Sequence, residues 1–234
     1  MTKKPTKPRP VIDRRDEAPR PDRHTPRTLK RWRRRKAARP SEILDAALAV
    51  FAERGFSATR LDDVAARAGV SKGTLYLYFD GKEALLKAVV REALLPNLAR
   101  IESRVGAYEG PSRKLLDEIL GTIGGVLGRT RAGAIPKIII AESGNFPELV
   151  RFYLDEVIRR AFALLSRVLA RGVASGEFRP IDVANTVRVL AGSMLFLALW
   201  KNAIESHARE TLDIDTFCGN LVEVLIHGIA SPAG

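Results

Sequence analysis

The sequence has one cysteine, Cys218, and three histidines, His24, His207 and His227. A single thiol excludes an internal disulfide and fits a reducing cytosol. The histidines lie in the N-terminal tail, at a helix end and near the C-terminus, with no carboxylate or cysteine spacing that suggests a metal site. There is no evident catalytic set and no phosphate-binding glycine loop of the P-loop or dinucleotide type, so neither catalysis nor a cofactor is expected. The basic N-terminus lacks the apolar stretch a signal peptide needs. The longest apolar run, Val189 to Trp200, contains Gly192 and Ser193 and is shorter than the roughly twenty residues of a bilayer span. A cytoplasmic protein with no membrane partner is the expectation.

An excess of one charge is also missing from most of the chain. The formal net charge is +12, but residues 1–39 hold 16 of the 39 Lys and Arg and only 4 of the 27 Asp and Glu. This segment carries the whole excess and the body is neutral. Its six prolines and few large apolar residues predict a disordered basic N-terminal arm, unable to offset the entropy of ordering. The end of the arm, Lys30 to Lys36, includes Arg31, Trp32, Arg33, Arg34 and Arg35. Such cations raise affinity for DNA by releasing condensed counterions, without specificity, and Trp32 suits stacking or entry into a minor groove. The alternative is a solvated tail that aids solubility.

What the chain does contain is helical periodicity. Pro40 to Arg54 reads as a helix with Ile43, Leu44, Ala47, Leu48 and Phe51 on its buried stripe and Gly55 as its stop. Leu61, Val64, Ala65 and Ala68 give a second, short helix one apolar face, opened by Thr59 with Asp62 three residues later and closed by Gly69. Ser71 is placed to cap a third helix, Lys72 to about Leu77, whose exposed face carries Lys72, Gly73, Thr74, Tyr76 and Tyr78. Helix, glycine-containing turn and helix make a helix-turn-helix arrangement.

The stretch from Ile43 to Leu85 resembles the DNA-binding domain of the TetR/AcrR family of bacterial repressors. Ile43, Ala47, Phe51, Gly55, Phe56, Thr59, Val64, Ala65, Ala68, Gly69, Val70, Ser71, Gly73, Leu75, Tyr76, Phe79, Lys82, Glu83 and Leu85 carry the match. The resemblance implies that Ser71, Lys72, Thr74, Tyr76 and Tyr78 reach bases or phosphates and that Gly73 lets the backbone approach closely. It also implies that Lys82 holds a phosphate beside a helix N-terminus, with Thr59 or Arg60 gripping the backbone on the other side. Leu77 departs from the family pattern and leaves the base preference open there, with contact to a thymine methyl as one possibility.

Beyond this domain, residues 40–90, a larger helical domain is expected over 91–234 for ligand binding and dimerisation. A helix from Lys82 should kink or break at Pro96. The next helix, about Ser112 to Arg129, places Gly121, Gly124, Gly125 and Gly128 on one face, which makes either a close helix contact or one wall of a ligand cavity. Phe152, Tyr153 and Phe162 are further candidates for that wall, with plain core packing as the alternative. Ala141-Glu142-Ser143, Phe146-Pro147-Glu148-Leu149 and Gly176-Glu177-Phe178-Arg179 resemble the effector domain of a TetR subgroup. A helix capped by Asp182 is apolar nearly all round from Leu190 to Trp200 and needs cover on every side. With the last helix, Leu212 to His227, it is expected to form a four-helix dimer interface through Leu195, Phe196, Leu199, Phe217 and Leu221.

The expectation is an all-α, homodimeric regulator of transcription. It would repress a palindromic double-stranded DNA operator by setting two recognition helices about 34 to 36 Å apart. The family resemblance further implies an apolar or amphipathic small-molecule effector. Two alternatives remain: a helical carrier or sensor that does not act on DNA, and a nonspecific nucleic-acid binder working through the arm.

Overall fold

A computed structural model of the chain describes the backbone of residues 27–229 and the side chains of 40–228. The chain divides into two compact units, 1–38 and 39–234. The expected arm, with Arg31, Trp32, Arg33, Arg34 and Arg35, has its side chains outside the described residues. Helix α1, Arg27–Arg54, starts earlier than the expected Pro40, which lies within it. No glycine or other proline interrupts 27–39, so the backbone can continue as helix there.

In the unit 39–234 the described elements are all helical. Ile43, Ala47, Phe51 and Phe56 are fully buried, and the Phe51 and Phe56 rings meet at 5.4 Å. Gly55 ends α1 at φ +79° and Gly69 ends α2, Leu61–Arg67, at φ +66°. Both are left-handed conformations that only glycine adopts at little cost. Helix α2 begins one residue later than expected. Its N-cap is Arg60, whose backbone N–H donates to Asp63 Oδ2 at 3.3 Å, so Asp63 closes the cap in place of Asp62. Helix α3, Lys72–Tyr76, is capped as expected, Ser71 Oγ accepting from the Thr74 N–H at 3.1 Å.

Helix α4, Lys82–Ala107, runs through Pro96 without a break, which leaves a kink as the remaining form of the expectation. Proline deletes one backbone hydrogen bond, and the turns on either side are held by Leu94, Leu98 and Ile101 in the core. Helix α5, Ser112–Arg129, follows a loop pinned by Arg171, which donates to the Tyr108 and Gly110 carbonyls at 2.7 and 2.9 Å. Glu177 caps α5 by accepting from the Ser112 and Arg113 N–H groups at 2.7 and 2.8 Å, and Phe178 packs over Gly172. The Gly176-Glu177-Phe178 motif is therefore structural. Helix α6, Ala134–Ala141, and α7, Pro147–Tyr153, are joined by a short turn. A π-helical turn, Leu154–Ile158, then leads into α8, Arg159–Ala174.

Helix α9, Val183–Leu199, is capped by Asp182, which accepts from the Asn185 N–H at 3.0 Å. Helical turns continue it to His207, giving 25 residues with a mean hydropathy of 1.5 over its most apolar window, long and apolar enough to cross a membrane by length and composition alone. The helix is thus longer than the apolar run, Val189 to Trp200, that it contains. Its inner side packs on α5, α6 and α8. Helix α10, Ile214–Ile229, packs on α5.

Candidate DNA-binding surface and ligand cavity

The surface of α3 is built by burying one residue. Leu75 is fully buried, and this turns Tyr76, Leu77 and Tyr78 outward with 47%, 80% and 38% of their surface exposed. Lys72 and Gly73 are exposed beside them, with Thr74 half-buried at the cap. Lys72 Nζ lies 3.0 Å from Asp62 on α2, and that hydrogen bond raises its pKa. A phosphate at this surface must compete with Asp62 for Lys72.

Two of the expected contacts sit elsewhere. Thr59 is buried and its hydroxyl donates to the Gly55 carbonyl at 2.6 Å, so it stabilises the end of α1 and has no free donor for a phosphate. Arg60, beside it, is exposed. Lys82 starts α4, but its Nζ donates to the Phe56 and Ser57 carbonyls at 2.8 and 3.0 Å and lies 4.5 Å from the Phe56 ring centroid. In this conformation Lys82 ties α4 to the loop after α1.

The same loop is held from the other side. The turn between α6 and α7 presents Glu142, a buried carboxylate that accepts from Ser57 Oγ at 2.6 Å, from the Ser57 N–H at 3.0 Å and from Asn145 at 3.3 Å. Burial opposes its ionisation, but the Ser57 and Asn145 donors and the Lys82 charge outweigh that and hold its pKa below the ordinary carboxylate value. Phe146 meets Phe56 edge-to-face at 5.0 Å. Sequence reading singled out both Glu142 and Phe146 but gave them no partner, because Ser57 is 85 residues away in the chain.

A cavity of about 420 Å³ lies among α4, α5, α6, α7, α8 and α9. Its wall is almost wholly apolar and includes Leu98, Ile123, Val126, Ile139, Val157 and Phe162, with Asn97, Thr122 and Tyr153 as the polar side chains. Phe162 is thus where it was expected. Phe152 is not: its ring turns outward beneath two cations, with Arg91 Cζ at 4.9 Å and Lys87 Nζ at 5.8 Å.

Gly121, Gly124, Gly125 and Gly128 also do not line the cavity, which takes Thr122, Ile123, Val126 and Leu127 from another face of α5. Gly124 and Gly128 are instead the seat of α10. A Cβ on Gly124 would fall 2.4 Å from Cys218 Sγ, and one on Gly128 2.5 Å from Ile214 Cδ1. Close helix packing is what these two glycines serve. Gly121 faces open space, and Gly125 meets only the end of the Arg129 side chain.

Leu195, expected at a subunit interface, lines the cavity, whereas its neighbour Phe196 is exposed and stacks on Phe217 at 6.1 Å. Leu199, Phe217 and Leu221 are half-buried.

Comparison with known proteins decides between a regulator and a carrier. Residues 43–89 match the bacterial regulatory proteins of the tetR family, and residues 114–210 match the C-terminal domain of AefR-like transcriptional repressors. The HTH-type transcriptional repressor KstR2 of Rhodococcus jostii is 30% identical over 199 residues, which span 84% of this chain and 94% of that protein. The chain belongs to the TetR family. The fatty acid metabolism regulator protein of Bacillus subtilis is 27% identical over 83% of this chain and 98% of its own length. The crystal structure of Bacillus subtilis FadR, in complex with stearoyl-CoA, superposes with a TM-score of 0.70 at 23% identity, covering 81% of this chain and 98% of that one. Both halves of the TetR-family chain therefore have counterparts, the helix-turn-helix domain and the cavity-bearing helical domain alike.

Proposed function

We propose that this TetR-family regulator is a cytoplasmic homodimeric repressor that leaves a palindromic operator when an apolar small molecule occupies its cavity. The cavity carries this reading, since an apolar hollow of this size among the helices of a DNA-binding protein is otherwise a loss of packing. The same fold holds stearoyl-CoA in Bacillus subtilis FadR. The exposed α3 face supplies Lys72, Tyr76 and Tyr78 for the major groove and its phosphates.

The route between cavity and DNA is short. Ile139 and Ile140 of α6 and Val150 and Tyr153 of α7 line the cavity, and the turn that joins these helices carries Glu142 and Phe146 against Ser57 and Phe56. Displacing either helix moves the turn, and with it the loop that sets the tilt of α2 and α3. A ligand shifts the equilibrium by its difference in affinity for the two arrangements.

The dimer reading rests on Val189, Phe196 and Val224, whose exposures of 64%, 46% and 73% form an apolar face on α9 and α10. Sedimentation of the wild type and of a Phe196→Glu, Val224→Glu variant tests it. The wild type should sediment as a dimer and the variant as a folded monomer that no longer holds operator DNA. A wild-type monomer that binds operator with full affinity would refute it.

A further inference from the structure

This inference rests on the cavity being an effector site and concerns what it selects. Among the residues that line it there is no Lys, Arg, His, Asp or Glu. A buried carboxylate or ammonium there would have no counter-charge, and such burial is strongly unfavourable. Three polar side chains reach the wall. Thr122 donates its hydroxyl to the Glu118 carbonyl at 2.8 Å. Asn97 donates to the Ala93 carbonyl and accepts from Arg100, both at 3.3 Å. Tyr153 has no hydrogen-bond partner within the described residues. Burial pushes its hydroxyl well above the ordinary tyrosine pKa, so at neutral pH it is a donor that holds its proton.

The chain around Tyr153 is shaped toward the cavity as well. It is the last residue of α7, and the π-helical turn that follows adds Leu154, Val157 and Ile158 to the same wall. A π turn inserts an extra residue into the helical repeat, a distortion that occurs mostly at functional positions. A half-buried hydroxyl without a partner among the described residues and a widened helix meet at one point of an otherwise apolar surface.

We propose that the cavity selects uncharged apolar molecules bearing one carbonyl oxygen, and that Tyr153 Oη donates the hydrogen bond that recognises it. The apolar wall supplies affinity and tolerates many carbon skeletons. Tyr153 supplies the discrimination between a ketone, ester or amide and the plain hydrocarbon, because only the former gives the cavity-lining hydroxyl an acceptor.

The test uses octan-2-one and octane as probes, with free concentration read from headspace partitioning over the full-length protein and over Tyr153→Phe. The substitution should weaken octan-2-one binding about tenfold, the equivalent of one neutral hydrogen bond, and leave octane binding unchanged. The melting temperature of the free variant should hold, since the hydroxyl removed has no partner among the described residues. Equal binding of each probe to both proteins would overturn the role of Tyr153 while leaving an apolar effector site in place. Equal weakening of both probes would reduce Tyr153 to a wall residue and also overturn it. If neither probe binds the wild type, the effector-site reading itself fails, and this inference with it.

Discussion

Glu142 and Ser57 join the two halves of the chain through one carboxylate and two donors, at 2.6 Å from the hydroxyl and 3.0 Å from the backbone N–H. A charge-assisted bond to a buried group contributes about 1.5–3 kcal/mol. Glu142→Ala should therefore lower stability by about 2 kcal/mol, and Ser57→Ala by less, because the backbone N–H remains. In chemical denaturation the double variant should cost less than the sum of the two. Additivity would show that the contact is not cooperative.

The same pair predicts a pH dependence. A carboxyl whose folded pKa is depressed contributes its stability above the ordinary carboxylate pKa and loses it as pH falls through the depressed value. Wild-type stability relative to Glu142→Gln should be constant at neutral pH and shrink below about pH 4. A difference that stays flat to pH 2 would assign the effect to packing.

The α5 glycines separate by what a methyl group would meet. Gly121→Ala adds its methyl to open space and should stabilise the protein by about 0.5–1 kcal/mol. Gly124→Ala drives Cβ into Cys218 Sγ and should destabilise by about 1–3 kcal/mol. Thermal melts of the two variants should move in opposite directions.

Ala161 lines the cavity, and Ala161→Trp places a large ring in it. The filled variant should bind operator with wild-type affinity and show no rise in melting temperature with octan-2-one, where the wild type shows one. Retained ligand stabilisation would place the binding site outside this cavity.

Much of this architecture was legible in the sequence because helical periodicity and caps are local. Ser71, Gly55, Gly69 and Asp182 each mark a helix end that the structure reproduces. Pro96 does not break α4, because a break requires more than one lost hydrogen bond when both flanking turns are buried. The pocket was legible only in part. A stripe of small residues reads equally as cavity or as close contact, and the partner that decides it for Gly124, Cys218, lies 94 residues further along. Glu142 shows the same limit: its residue type and motif were visible, but its bond to Ser57 depends on how α6 and α7 meet the loop after α1.

The central claim is specific DNA recognition by α3, and selection of bound sequences from a random duplex pool tests it most directly. Full-length protein at near-physiological salt should enrich one palindromic motif with half-sites about one helical turn apart. Protein carrying Lys72→Ala, Tyr76→Ala and Tyr78→Ala should lose that enrichment while keeping its fold by circular dichroism. Removal of residues 1–39 should weaken binding and flatten its salt dependence but return the same motif. Failure of the wild type to enrich any motif, or enrichment that survives the triple substitution, would contradict the assignment of operator recognition to α3.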